Sequence, residues 1–586
     1  MTGTVPAGTN LTGRRFLFAA LVVATIVAMV WLMGFALSAG GFGFTDLILT
    51  ALFAVTLPWS VAGFWNAAFG LVIMRFTADP TAAVLPVAAR VRGDEAIAAS
   101  TALLLCIRNE GPDRLIRNVE PMLDGLAASG FGERFHLYIL SDTNNPDVAA
   151  AEDRVFGALT ARWQGRVAIT YRRRTDNTGF KAGNVRDFCE RWGGDHDFAI
   201  TLDADSFMLA DAILRMVRLM QADARIGILQ GLVVGMPSTS AFARLFQFGM
   251  RLTMRSYTLG SAWWQGDCGP YWGHNAILRL QPFIAHCQIT PDTGGLGAHI
   301  LSHDQIEAVL MRRAGYEVRV LPDEMGWEEN PPTLIEFIRR DLRWCQGNMQ
   351  YWPLLLMPGL KFVSRYQLGL AIGMFLGSPA WIGLLVIGTL ALAFTGTPSD
   401  FVRPDAGIAL AILIPLLWYA PHLATMIDVL MSARARAAYG GTWRFIANGV
   451  IEIAFMMLLS PIMWAGHTFF LIRLALGRGI GWGGQARDDH KVPIAYAARN
   501  LWPHTLLGLA CIAVLAATHP AAIPFALYIA AGPALAIPLA VLTALPSVGL
   551  AFARIGIGRL PEELRPPPPL TRLALPAVVA APPHPA

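Results

Sequence analysis

The sequence predicts a polytopic membrane protein in which an α/β domain with a mixed, mostly parallel sheet is inserted between transmembrane α-helices. Three observations carry this. The chain of 586 residues is 54% hydrophobic and only 15% charged, with a mean hydropathy of +0.46, more apolar than an ordinary soluble domain. Apolar runs long enough to cross hydrocarbon at about 1.5 Å per residue lie toward both ends. Between them, residues 77–352 carry frequent charges, and short apolar runs alternate with helical patterns.

The first run, 16–37, follows Arg14 and Arg15. A cleaved signal peptide is the competing reading, since "ALSAG" offers small residues, but the run exceeds the usual signal core and a second span, 47–74, follows at once. With both arginines inside, the positive-inside rule places residues 1–15 and everything after Arg75 in the cytoplasm. Residues 1–76 are therefore read as a cytosolic N-terminus and two membrane helices, 77–352 as a cytosolic domain, and 353–366 as an interfacial segment. The remaining membrane region, 367–545, holds apolar runs at 367–394, 406–430, 505–517 and 521–544.

The stretch 448–476 is apolar but contains Glu452 and Pro461 and has basic flanks. A re-entrant or interfacial helix pair, or alternatively two short passes, keeps both flanks on one side. That gives six to eight spans, followed by a cytoplasmic loop at 477–500. The tail, 546–586, is rich in Pro and is expected to be disordered from Pro561.

The net charge of +5 fits basic cytoplasmic loops, and no basic block interleaved with aromatics points to nucleic acid. Six cysteines without CxxC spacing predict free thiols and neither disulfides nor zinc. The implied surroundings are a lipid bilayer.

Within the soluble part, "TALLLCI" (101–107), "FHLYIL" (135–140), "VAITY" (167–171), "FAITLD" (198–203) and "GILQGLVV" (227–234) read as buried central strands. Ligands of open α/β sheets bind at the carboxyl ends of strands. There the sequence places Glu110 after the first run, Asp142 after the second, the loop "DNTGFKAGN" with Lys181 after the third, and Asp203 and Asp205 after the fourth. In an extended segment Asp203 and Asp205 face the same way, roughly 6–7 Å apart. One such acid alone is often only a cap or turn former. Together with a basic Gly-containing loop, the acids suit a nucleotide diphosphate held with a divalent ion.

The ordered series Glu110, Asp142, "KAGN", "DADS", "QGDCGPYWGHNAILR" (265–279), "SHDQIEAVLMRRAGYEV" (302–318) and "RRDLRWCQGN" (339–348) resembles the family 2 processive glycosyltransferases of the cellulose-synthase type. Within that group it is most similar to the glucosyltransferase H synthases of osmoregulated periplasmic glucans. The resemblance implies a GT-A domain, UDP-glucose as donor, a growing glucan chain as acceptor, and Mg²⁺ or Mn²⁺. It further implies a bacterial inner-membrane location and periplasmic glucan-processing proteins as further partners.

By resemblance Glu110 and Asp142 sit at the uridine, Lys181 and Asp203 at the nucleotide, and Asp205 holds the metal. Asp304 takes the place of the general base, Arg343 that of the diphosphate-binding arginine, and Trp344 that of the stacking tryptophan. Trp272 and His274, in "YWGHN", match the loop lining the acceptor site. The chemistry agrees. Inverting transfer needs a base on the acceptor hydroxyl and cationic help for the departing diphosphate, and an aromatic face suits a pyranose. Core packing is the competing reading for Trp344, and His303 either tunes the base or, more simply, faces solvent.

Two departures from the family pattern stand out. Arg340 replaces the signature's glutamine and cannot copy an amide's donor and acceptor pattern, so the acceptor register and linkage are open to change. Only a short segment precedes the first span, so a partner recruited by a longer cytosolic arm is not expected. The loop "GWGGQARDDH" (481–490) is either a lid over the nucleotide or a polar connector. Among functions, another β-linked polysaccharide such as cellulose is the main rival. A nucleotide-binding transporter is the less favoured one, since only Asp428 and Glu452 stand out as intramembrane acids.

Overall fold

A computed structural model describes residues 10–289, 300–481 and 488–572. Its centre is one sheet of eight strands: β1 (Thr101–Ile107), β2 (Phe135–Ser141), β3 (Ala168–Arg173), β4 (Phe198–Asp203), β5 (Ser206–Phe207), β6 (Ile226–Gly235), β7 (Ala276–Arg279) and β8 (Glu317–Glu328). The spatial order is β3-β2-β1-β4-β7-β6-β8-β5. β1, β2, β3 and β4 pair in parallel, as do β6 and β8, while β7 runs antiparallel between β4 and β6.

The five strands anticipated from apolar runs are present; β1, β2, β4 and β6 are buried along nearly their whole length, while β3, at the sheet edge, buries only Ile169. Along β1, Leu103, Leu105 and Ile107 enter one hydrophobic cluster, and Ala102 and Leu104 enter the cluster on the opposite face. Register then aligns the strand ends: Cys106 of β1 lies opposite Asp203 of β4, and Ile107 opposite Ser141 of β2. The chain leaves β1 toward β2 on one side and meets β4 on the other, so the crevice at this edge is a topological switch point.

Among the described residues six helices are long and apolar enough to cross a membrane: Leu11–Leu37, Phe44–Phe76, Phe362–Ala393, Pro404–Leu430, Thr442–Ala475 and Ile494–Thr518. A pair bent by 55°, Pro520–Ala534 with Ala536–Thr543, has the form of a broken span or a re-entrant loop. The helix Ala241–Gln265 joins sheet and bundle. A Cβ on its Gly260 would come 1.8 Å from the Asn66 carbonyl oxygen, and one on Gly70 would come 1.9 Å from that of Ser256. Only glycine at both positions lets this helix lie directly on Phe44–Phe76. Arg15 docks here too, with Nη2 2.6 Å from the Gln265 carbonyl and an ion pair to Asp267, which Arg312 shares.

Four sequence expectations need correction. Asp203 and Asp205 do not share an extended segment, because Ala204 and Asp205 form the tight turn between β4 and β5. The stretch 448–476 is neither a helix pair nor two passes but part of one unbroken helix, Thr442–Ala475. Glu452 does not break it, because the fully buried carboxylate meets His422 Nε2 at 3.2 Å and packs on the bare backbone of Gly249. Its side faces follow Ala241–Gln265 and Leu334–Met349: Phe455 meets Phe242, and His467 pairs with Asp341. Beyond its end, Ile480 N–H donates to Gln346 at 2.7 Å.

The tail from Pro561 is ordered through Arg572, with helices at Pro561–Leu564 and Pro568–Arg572. Glu562 accepts from Arg251 at 2.5 Å, and Leu570 packs with Phe207 and Trp327. His303 does not face solvent. It is 6% exposed, with Nδ1 3.0 Å from Glu307 Oε1.

Candidate active site

The carboxyl edge of the sheet opens into a cleft of about 210 Å³ lined by Glu110, Asp142, Lys181, Asp203, Asp205, Trp272, His274, Asp304, Arg343 and Trp344. All ten residues singled out in the sequence therefore share one space. Asp304 opens the helix Asp304–Arg313, and Arg343 and Trp344 lie on Leu334–Met349, so two separate helices close over the strand ends. Trp344 is 47% exposed, which removes the core-packing alternative.

The cleft is held by a buried polar scaffold. Glu152, fully buried, accepts from Ser141 at 2.7 Å, Thr143 at 2.6 Å and Tyr171 at 3.0 Å, fixing the turn after β2. Arg174 grips Asp142 with two parallel bonds, 2.7 and 2.6 Å, and also donates to the Phe180 carbonyl at 3.0 Å. Lys181 pairs with Asp203 and donates to the Gly273 carbonyl at 2.8 Å, tying the third loop to the "YWGHN" loop. Burial works against the Lys181 charge, but Asp203 outweighs it and holds the ammonium above its ordinary pKa. Cys106 also borders the cleft, and burial pushes its thiol up to about 12, so it is no nucleophile.

Backbone strain gathers here. Among the described residues the non-glycine positions with positive φ are Asn109 (59°), Phe180 (50°) and Asn275 (50°), each adjoining a cleft residue. Asn109 is stabilised there by its own side chain, whose oxygen accepts from the backbone of Asn144 and Asn145. Gly273, at φ +81°, faces Asp304: a Cβ there would lie 3.4 Å from the aspartate's Cβ.

Two functional neighbours were missed from the sequence. Arg174 ends a run of three arginines whose first two belong to β3, and nothing local marks which of them turns inward. Glu328 stands at the end of β8, its side chain 16% exposed, with Oε2 3.6 Å from His274 Nε2. Burial pushes the Glu328 carboxyl up against the pull of His274 and Arg340. For His274 burial is outweighed by Asp203 and Glu328, so its pKa is raised. Recognising β8 as a strand would have flagged Glu328 by the same strand-end rule that flagged Asp142.

A second cavity, about 770 Å³, runs among the membrane helices past Trp59, Trp381, Trp418 and Trp464. It shares Trp272, His274, Ser302, Asp304, Glu328 and Trp344 with the cleft.

A divalent ion suits the donor set. Among the described residues no three His, Cys, Asp or Glu side chains converge into a complete cation site. A magnesium-like ion needs only one or two carboxylates plus phosphate oxygens, which Asp205 beside Asp203 can supply.

The profile of Glycosyl transferase family 2 matches residues 104–286, and that of Glycosyl transferase family group 2 matches 198–427. The chain is 34% identical over 586 residues to the glucans biosynthesis glucosyltransferase H of Xanthomonas euvesicatoria, covering 97% of this chain and 90% of that protein. The chain belongs to this family. It is a glycosyltransferase. Family members from Pseudomonas putida (33% identical over 596 residues, 94% of this chain and 69% of the relative) and Pseudomonas paraeruginosa (35% over 534 residues, 88% and 61%) are similar to it as well. A solved mannosyltransferase from Pyrobaculum calidifontis, in complex with GDP-Man and Mn²⁺, covers 70% of this chain and 98% of its own at 16% identity and a TM-score of 0.38. That agreement is too loose to carry any inference.

The loop at 481–490 falls partly outside the described residues, with Trp482, Gln485 and Arg487 among those not described. Its end touches the sheet domain, through Asp488 to Arg114 at 2.9 Å and Asp489 to Thr239.

Proposed function

We propose that this protein is a processive, inverting glucosyltransferase of the bacterial inner membrane that takes UDP-glucose from the cytoplasm and builds the β-1,2-glucan backbone of osmoregulated periplasmic glucans. Glu110 and Asp142 border the uridine, Lys181 and Asp203 the nucleotide, and Arg343 the diphosphate. Asp304 accepts the proton of the acceptor hydroxyl as its oxygen attacks C1 from the face opposite UDP. The C1–O bond to the diphosphate breaks, and Arg343 and Lys181 offset the charge released on UDP. A divalent ion at Asp205, when bound, supplies further neutralisation of that diphosphate. Trp344 offers its face to the acceptor sugar, with Trp272 and His274 at the rim.

The observation that supports this reading most is the sharing of Asp304 and Trp344 between the donor cleft and the tryptophan-lined membrane cavity. A chain lengthened at Asp304 has its exit beginning at the same residues. The test is incubation of the purified protein in lipid nanodiscs with labelled UDP-sugars, followed by linkage analysis. Incorporation from UDP-glucose alone into a β-1,2 product is expected, and a β-1,4 product would favour a cellulose-like synthase. Asp304→Asn is expected to retain UDP binding while turnover falls by about 10²–10⁴-fold; a variant with normal turnover would remove the assigned base.

A further inference from the structure

The cleft contains one carboxylate that the reaction above leaves without a task. Glu328 lies where the donor cleft and the membrane cavity meet, and it lines both. Asp205, on the donor side, precedes Ser206, which pairs with Glu328 across β5 and β8. Trp344 and Asp304 likewise line both spaces. Among the described residues the carboxylate meets the His274 side chain at 3.6 Å, beyond hydrogen-bond length, and Arg340 acts on it electrostatically. An ionised carboxylate offers about four lone-pair positions, so Glu328 retains capacity for two neighbouring hydroxyl donors.

Arg340 confines the other partner. One helical turn before Trp344, its guanidinium lies 5.0 Å from the Trp344 ring centroid and donates to Asn330 Oδ1 at 3.1 Å. A sugar stacking on Trp344 is thereby directed to the indole face that Arg340 leaves open. The stacked ring turns its hydroxyls outward around its rim. Asp304 takes a proton from one of them, so whichever hydroxyls are anchored elsewhere on the rim decide which one that is.

We propose that Glu328, with His274 beside it, anchors rim hydroxyls of the acceptor sugar and so selects the hydroxyl presented to Asp304. Glu328 is then a specificity-determining residue for the linkage formed. This rests on the reading that the acceptor stacks on Trp344.

The experiment compares Glu328→Gln, Glu328→Ala and Trp344→Ala in the full chain, purified in nanodiscs and checked for monodispersity. UDP affinity, acceptor KM with gluco-oligosaccharides, and product linkage by methylation analysis are measured for each. Glu328→Gln preserves shape and is expected to fold, to bind UDP within about threefold of the parent, to raise acceptor KM at least tenfold, and to yield linkages absent from the parent product. A generally loosened site lowers rate without altering linkage, so the linkage readout separates selection from scaffolding. Unchanged linkage and acceptor KM in both Glu328 variants, with Trp344→Ala raising acceptor KM, would overturn this proposal alone. An unchanged acceptor KM in Trp344→Ala would overturn it together with the acceptor assignment. Loss of UDP affinity in Glu328→Gln with parental linkage would place the residue on the donor side and also overturn it.

Discussion

Replacing Arg174 with Ala removes both bonds to Asp142, at 2.7 and 2.6 Å, and the bonds to the carbonyls of Thr178 and Phe180, at 3.3 and 3.0 Å. The two side chains are only 10% and 7% exposed, so water cannot simply replace the lost partner. Leaving one half of a buried pair uncompensated costs about 3–5 kcal/mol. Local rearrangement of the loop relieves part of this, which sets the expected loss at the lower end, about 3 kcal/mol. At 1.4 kcal/mol per tenfold, that is about a hundredfold change in the population of the ordered loop carrying Lys181. Calorimetric titration with UDP and Mg²⁺ is therefore expected to show affinity reduced by about two orders of magnitude, with a lowered melting temperature. Arg174→Lys keeps the charge but not the fork and should fall between. In the double variant with Asp142→Asn the combined loss should be smaller than the sum, because one interaction is being removed twice. Arg174→Ala with UDP affinity within threefold of the parent and an unshifted melting temperature would refute the reasoning.

Three further substitutions test the scaffold. Gly273→Ala forces a Cβ into a left-handed backbone costing about 1–2 kcal/mol, in van der Waals contact with Asp304, so relief of the strain shifts the loop facing Asp304; steady-state UDP release should show kcat down severalfold with KM for UDP-glucose nearly unchanged. Asp267 is half-buried, which alone would raise its pKa, but Arg15 and Arg312 bring it below the ordinary value. A folded pKa below the unfolded one means that the triad's stabilisation is complete above about pH 4 and is lost as pH falls through the folded value; Asp267→Asn should flatten that acid limb in melting curves taken from pH 7 to 3. Glu562→Ala leaves Arg251 with Glu324 at 2.8 Å as its remaining carboxylate partner, so a loss of about 1–3 kcal/mol is expected, seen as a lower melting temperature and faster proteolysis of the tail.

Most of the cleft's lining was legible because its signals are local. A strand buried on both faces is an unbroken apolar run, and an acid just past such a run must lie at the sheet edge where parallel neighbours place theirs. β8 escaped because Glu317, Arg319, Asp323 and Glu324 interrupt its apolar pattern, and several of these charges are neutralised only by distant partners such as Arg215 and Arg251. β7 is four residues long and antiparallel, too short for periodicity to register. The same limit explains Glu452, which reads as a break in a membrane helix until His422, from another helix, is placed against it. His303 likewise becomes a buried residue only once Glu307, a turn later, faces it across a closed interior.

The ordered end of the chain has a consequence for biogenesis. Glu562 and Leu570, which brace the layer at Arg251 and Trp327, lie C-terminal to the candidate membrane helices found among the described residues. A ribosome making this polypeptide delivers that brace only after those segments have been synthesised. The order of synthesis makes a finished membrane bundle the precondition for a finished catalytic layer.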